Sequence, residues 1–115
     1  MNLNYAVDRL YETGWLADEQ TQCERLNDGR RYPTVAAVRG VFERAGLDLS
    51  IKQNLIFKCY RAEWSGAAGP SGNVVGSCEK EAAVYALAQL RQAQAENQLL
   101  SVGEVVGGDQ VAAAG

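Results

Sequence analysis

Three cysteines, Cys23, Cys59 and Cys78, and the carboxylate Glu63 are the side chains of this chain best suited to covalent, metal or acid–base chemistry. Their pattern argues against each use. A zinc site takes four ligands, commonly in close Cys or His pairs, whereas these three cysteines are widely spaced and the chain has no histidine. An odd cysteine count also makes a poor disulfide framework, so free thiols are expected, with Cys59 as a small core hydrophobe. Acid–base turnover near neutral pH draws on histidine or on a carboxylate held at a raised pKa. Nothing in the sequence pairs Glu63 with a second carboxylate, and the helical acids fall mostly on polar faces. No catalytic residue, metal site or cofactor is expected.

Two other sets of residues could recognise a partner without doing chemistry. Lys58, Tyr60 and Trp64 alternate along one apolar run. If that side faces water, two aromatic rings beside a cation form a patch of the kind that anchors protein interfaces. The competing expectation is that the N-terminal helix covers that side. The second set comes from an uneven charge distribution. Arg9 stands against five acids in residues 1–24, eight basic residues against three acids in 25–61, and Lys80 and Arg91 against six acids in 62–115. The basic middle offers Arg30, Arg31, Arg39 and Arg44 as phosphate contacts. The alternative is that they pair internally with the acidic flanks, since mixed surface charge is the norm.

Positioning these residues requires a particular series of elements. Leu3, Ala6, Val7, Leu10 and Tyr11 follow helical spacing, so a helix is expected over 3–13, capped by Asn2 and ended at Gly14. Residues 18–32 read as an irregular connection containing the turn-prone Asn27-Asp28-Gly29. Thr34 caps a second helix whose stripe is Val35, Val38, Val41, Phe42 and Ala45, ending at Gly46. Alternation over 47–52 predicts a strand, Gln53-Asn54 a short turn, and 55–64 a second strand with Phe57 and Cys59 inward. The glycine-rich 65–73 is a hairpin loop and Val74-Val75 a short third strand. Ser77 then caps a last helix, with Glu79 and Glu81 favouring its dipole, that continues to about residue 99.

The resulting expectation is an α+β fold: one domain over residues 1–100, in the order α-α-β-β-β-α, with a three-stranded antiparallel sheet carrying helices on one face. Val38, Phe42, Phe57, Leu87 and Leu90 should be its core. Residues 101–115 are expected to be a disordered tail. The N-terminus lacks the pattern of a secretory signal and no stretch approaches a bilayer span, so a soluble, cytoplasmic protein is expected, with no membrane partner.

The segment Gly76-Ser77-Cys78-Glu79-Lys80-Glu81-Ala82-Ala83-Val84-Tyr85-Ala86-Leu87, at the end of an α-β-β-β-α series over 34–90, resembles the last helix of the double-stranded-RNA-binding domain. That family opens this helix with a glycine, a serine and a run of lysines, followed by small residues and an Ala-Leu pair. The resemblance implies RNA binding in which Lys80 meets phosphate and the first strand–strand loop enters a minor groove. Here only Lys80 matches the lysines, while Glu79 and Glu81 oppose a phosphate, and a Gln53-Asn54 turn is too short to reach a groove. The functional expectation is therefore a non-catalytic module binding a protein partner through Lys58, Tyr60 and Trp64. RNA binding through the basic 25–61 segment, by Arg30, Arg31, Arg39, Arg44 and Lys80, is the alternative.

Overall fold

The computed structural model describes residues 3–19, 21–66 and 71–107, with side chains described as far as residue 96. In chain order its elements are α1 (Leu3–Glu12), β1 (Cys23–Arg25), β2 (Arg31–Pro33), α2 (Val35–Arg44), β3 (Asp48–Asn54), β4 (Cys59–Ser65), β5 (Gly72–Gly76) and α3 (Glu79–Gly107). The fold is α+β. Strands β3, β4 and β5 form a three-stranded antiparallel sheet in that order, and β1 pairs with β2 in a separate two-stranded sheet.

Local chemistry sets the helix ends. The Thr34 hydroxyl accepts the Ala37 N–H at 3.1 Å and caps α2. Gly46, at φ +77, turns the chain out of α2 and lets the Leu47 N–H donate to the Phe42 carbonyl at 2.9 Å, with Leu47 buried behind it. Gly14, at φ +85, ends α1 in the same way, and Trp15 folds back against the Tyr11 ring at 5.7 Å. Helix α3 starts one residue later than the sequence suggests. The Cys78 sulfur accepts the Glu81 N–H at 3.4 Å, and Glu81 reaches back to accept both the backbone N–H and the hydroxyl of Ser77. Glu81 is fully buried, so it cannot face a phosphate as the duplex-binding pose supposed.

One core gathers these elements. Phe42 and Val38 of α2 meet Leu49, Ala62 and Trp64 from the sheet and Ala83, Ala86, Leu87 and Leu90 from α3, while α1 adds Ala6, Val7 and Leu10 against α3. The alanines of α3 let it lie close to the sheet: a side chain at Gly76 would strike the backbone nitrogen of Ala82 at 2.7 Å.

Three expectations need correction. Residues 23–33 are not irregular throughout. Asn27-Asp28-Gly29 turns a β1–β2 hairpin in which Asp28 accepts the Arg30 N–H and Gly29 sits at φ +92. Strands of three residues are too short for alternation to reveal them; this hairpin is held from outside, by the Tyr11 hydroxyl donating to the Arg31 carbonyl at 2.7 Å. Second, β4 begins at Cys59, and the inward residues are Ala62 and Trp64, with Tyr60 partly buried beside them. The register, Leu49 opposite Trp64 and Ile51 opposite Ala62, puts the apolar members of both strands on one face. That register leaves residues 55–58 as the connection, so Phe57 is exposed and not core. Third, α3 is helical to Gly107, past the expected end near residue 99; residues 108–115 of the expected tail lie outside the described residues.

Candidate docking surface at the hairpin tip

The β3–β4 connection holds the largest exposed apolar side chains of the sheet: Leu55, Ile56 and Phe57, at 78, 85 and 75 % exposure. Asn54 builds the turn, its side-chain oxygen accepting the N–H groups of Ile56 and Phe57 at 3.0 and 3.1 Å. Lys58 closes it at φ 53, a left-handed conformation unusual for a residue with a side chain. Three consecutive large hydrophobes thus stand in water at the end of the β3–β4 hairpin, whose ladder runs from Asp48 opposite Ser65 to Asn54 opposite Cys59 and is flanked by β5 from Tyr60 to Trp64.

The hairpin's outer face carries cations. Lys52 lies directly opposite Arg61, and Lys58 stands at the turn. Residues 49–62 hold these three cations and no carboxylate. Like charges directly opposite one another destabilise a strand pair, by roughly 0.2–1 kcal/mol. Arg61 is partly relieved by Glu63, 3.1 Å away, where both side chains are about half exposed. Lys52 and Lys58 have no ion-pair partner among the described residues.

The two residue sets expected from the sequence are not assembled as surfaces. Of the aromatic patch, only Lys58 is exposed. Trp64 is 4 % exposed and packs edge-on against Phe42 at 5.4 Å, and Tyr60 is partly buried on the same inward side. The burial follows from the register, which aligns Trp64 with core residue Leu49.

The basic set is dispersed among internal partners. Arg30 bridges Asp8 and Asp28 and lies over the Tyr11 ring. Arg39 donates to the Leu49 carbonyl at 3.2 Å. Lys80 pairs with Glu24 at 2.5 Å, a carboxylate that also accepts the Tyr32 hydroxyl. Arg31 is half-buried in β2, and Arg44 is exposed on the last turn of α2, folded back over Gly40.

The Lys80 hydrogen bond holds the Glu24 carboxyl below the usual carboxylate range. A depressed carboxyl stabilises the fold above its unfolded pKa, and that contribution is lost as pH falls through the lower folded value. Lys80→Ala should return the Glu24 titration, followed by carboxyl NMR shifts, to the usual range and move acid unfolding to higher pH. An unshifted Glu24 would show that the pair does not form in solution.

A groove of about 1230 Å³ lies between α1, α3 and β5, lined by Tyr5, Arg9, Val75, Tyr85, Ala88 and Gln92 among others. Among the described residues no group of three or more His, Cys, Asp or Glu side chains could hold a metal ion. Cys23, Cys59 and Cys78 are free and half-buried, and burial pushes the Cys23 thiol up, away from its reactive form. No helix among the described residues is long and apolar enough to cross a membrane. Scans against family models, curated proteins and solved structures find no match for this chain.

Leu55, Ile56 and Phe57 are the candidate residues that reading the sequence missed. The signal was present: aligning Leu49 and Ile51 with Trp64 and Ala62 as facing core pairs fixes the loop at 55–58, and Asn54 is a natural initiator of that turn.

Proposed function

We propose that this chain is a non-catalytic docking module that holds a partner through Leu55, Ile56 and Phe57 at the tip of the β3–β4 hairpin. The observation that carries the reading is the exposure of three consecutive large hydrophobes on a turn organised by Asn54. Scattered exposed hydrophobes are ordinary, but a contiguous apolar projection on a small domain marks an interaction site. The interaction role expected at Tyr60 and Trp64 thereby moves off β4 to the connection that precedes it, with Lys58 common to both.

Two lines support docking over the alternatives. Catalysis would need a nucleophile with a base or a cluster of perturbed carboxylates, and the candidate surface is apolar and cationic. RNA binding loses three of its five expected cations to internal partners, Arg30, Arg39 and Lys80. The hairpin loop is long enough to project, which removes one objection to a groove contact, but Leu-Ile-Phe at its tip offers phosphate nothing. Three free thiols fit a reducing compartment such as the cytoplasm.

A photo-cross-linking residue at position 56 tests this reading in the cells that make the protein. A discrete adduct, protein or lipid, is expected from position 56 and none from exposed Glu43 on α2. Absence of any adduct from position 56 would remove the docking reading.

A further inference from the structure

We infer that the surface this tip enters is an anionic lipid bilayer. The inference rests on the docking reading above and adds the partner's chemistry. Its basis is the layering of residue types along the hairpin. At the outermost level stand Leu55, Ile56 and Phe57, with Lys58 at the shoulder of the turn. Two residues back along each strand, about 7 Å behind the Asn54–Cys59 pair, Lys52 and Arg61 face each other across the ladder. Within the hairpin, carboxylates return only beyond them, at Glu63 opposite Ser50 and at Asp48; beside it, exposed Glu79 opens α3 three residues after Gly76, which pairs with Tyr60.

A membrane surface has the same order and spacing. Apolar groups that enter an interface reach about 5–10 Å into the boundary between headgroups and acyl chains, with anionic phosphates above them. A hairpin seated by its three hydrophobes would place Lys52, Arg61 and Lys58 at the phosphate level and hold Glu63 and Asp48 outside it. The arrangement also accounts for two features that weaken the free protein: like charges opposed at Lys52 and Arg61, and a lysine in a left-handed conformation. An anionic surface neutralises the first, and the second aims the Lys58 side chain from a turn that Asn54 fixes. A pocket in a partner protein would accommodate the hydrophobes but does not call for cations on both strands at one level. Duplex RNA would meet the cations but not the hydrophobes. The module would attach peripherally and reversibly, since three side chains fall far short of a spanning helix.

Co-sedimentation of the full chain with phosphatidylcholine vesicles, with and without phosphatidylserine, is the test. Sedimentation is expected with the phosphatidylserine vesicles only, weakening as salt rises. Lys52→Gln and Lys58→Asn should each weaken binding roughly fivefold, the worth of one cation near an anionic surface. The double variant Ile56→Ser, Phe57→Ser should abolish binding while its circular dichroism and melting temperature stay unchanged. Lys80→Gln, which removes a cation engaged by Glu24, should bind as the parent does. Sedimentation of the folded chain with neither vesicle, or equally with both, overturns the inference. If vesicle binding fails while position 56 still cross-links to a protein, the lipid assignment falls and the docking reading stands. If neither is seen, both fall. Tight, salt-sensitive binding of duplex RNA lost in the Lys52 and Lys58 variants, without vesicle binding, would also overturn it.

Discussion

Replacing Phe42 by alanine is expected to lower stability by about 3–5 kcal/mol, a large share of the ~5–15 kcal/mol that holds a domain of this kind together. Phe42 is fully buried in α2, with its ring edge-on to Trp64 at 5.4 Å. The cavity cannot readily collapse. Helix α2 is anchored to β3 by Arg39 donating to the Leu49 carbonyl, and its two ends run almost directly into β2 and β3, which restricts its movement toward the sheet. The melting temperature by circular dichroism should fall on the order of 15–25 °C. An unchanged melting temperature would mean that α2 presents a different face to the sheet.

The elements whose signals are local were legible. Both short helices have helical spacing of apolar residues, a turn glycine at the end and, for α2, a cap at the start, and each of these acts within four residues. The antiparallel sheet followed from the short connections, because a parallel pair would need a crossover of a dozen residues. What escaped is decided at a distance. The face of β4 was ambiguous because both alternating sets contain apolar and aromatic residues. The tie was broken by the pairing of Ile51 and Leu49 with Ala62 and Trp64, which no window on β4 alone contains. The β1–β2 hairpin is likewise secured by Tyr11 of α1 and by the Lys80–Glu24 pair from α3. The pairing of Arg30 with Asp8, by contrast, was foreshadowed by the acidic flanks around a basic middle, whereas Lys80, itself in the C-terminal acidic flank, pairs with Glu24 of the N-terminal one.

The misplaced face also displaced the candidate site. Assigning Phe57 inward hides the tip and turns Tyr60 and Trp64 into a surface patch; reversing the face buries the patch, and starting β4 at Cys59 frees Leu55, Ile56 and Phe57 as an exposed connection. A Gln53-Asn54 turn leaves no loop at 55–58, whereas a ladder that closes with Asn54 opposite Cys59 creates one, so the choice of register determined the whole functional reading.

Trp64→Ala should therefore behave as a core mutation, costing about 3–5 kcal/mol, whereas Phe57→Ala should leave the melting temperature within the range of a surface substitution, roughly 0.5 kcal/mol. The Trp64 indole fills a space between Phe42 and the backbone of β5: a side chain at Gly72 would stand 2.5 Å from its six-membered ring. Removing the indole uncovers Phe42 on one side and the β4–β5 pair on the other. Because the two rings touch, the two losses should not add. The Phe42→Ala, Trp64→Ala pair should show a coupling of about 0.5–1.5 kcal/mol, measured by denaturant unfolding of both single variants and the double; if the double variant no longer folds, Phe42→Leu with Trp64→Phe supplies the cycle. A destabilising Phe57→Ala beside a silent Trp64→Ala would return the aromatic patch to the surface and remove the hairpin tip as the docking site. The opposite result, a costly Trp64→Ala with a silent Phe57→Ala, leaves Phe57 as a hydrophobe that contributes nothing to folding, which is the condition for its use in binding.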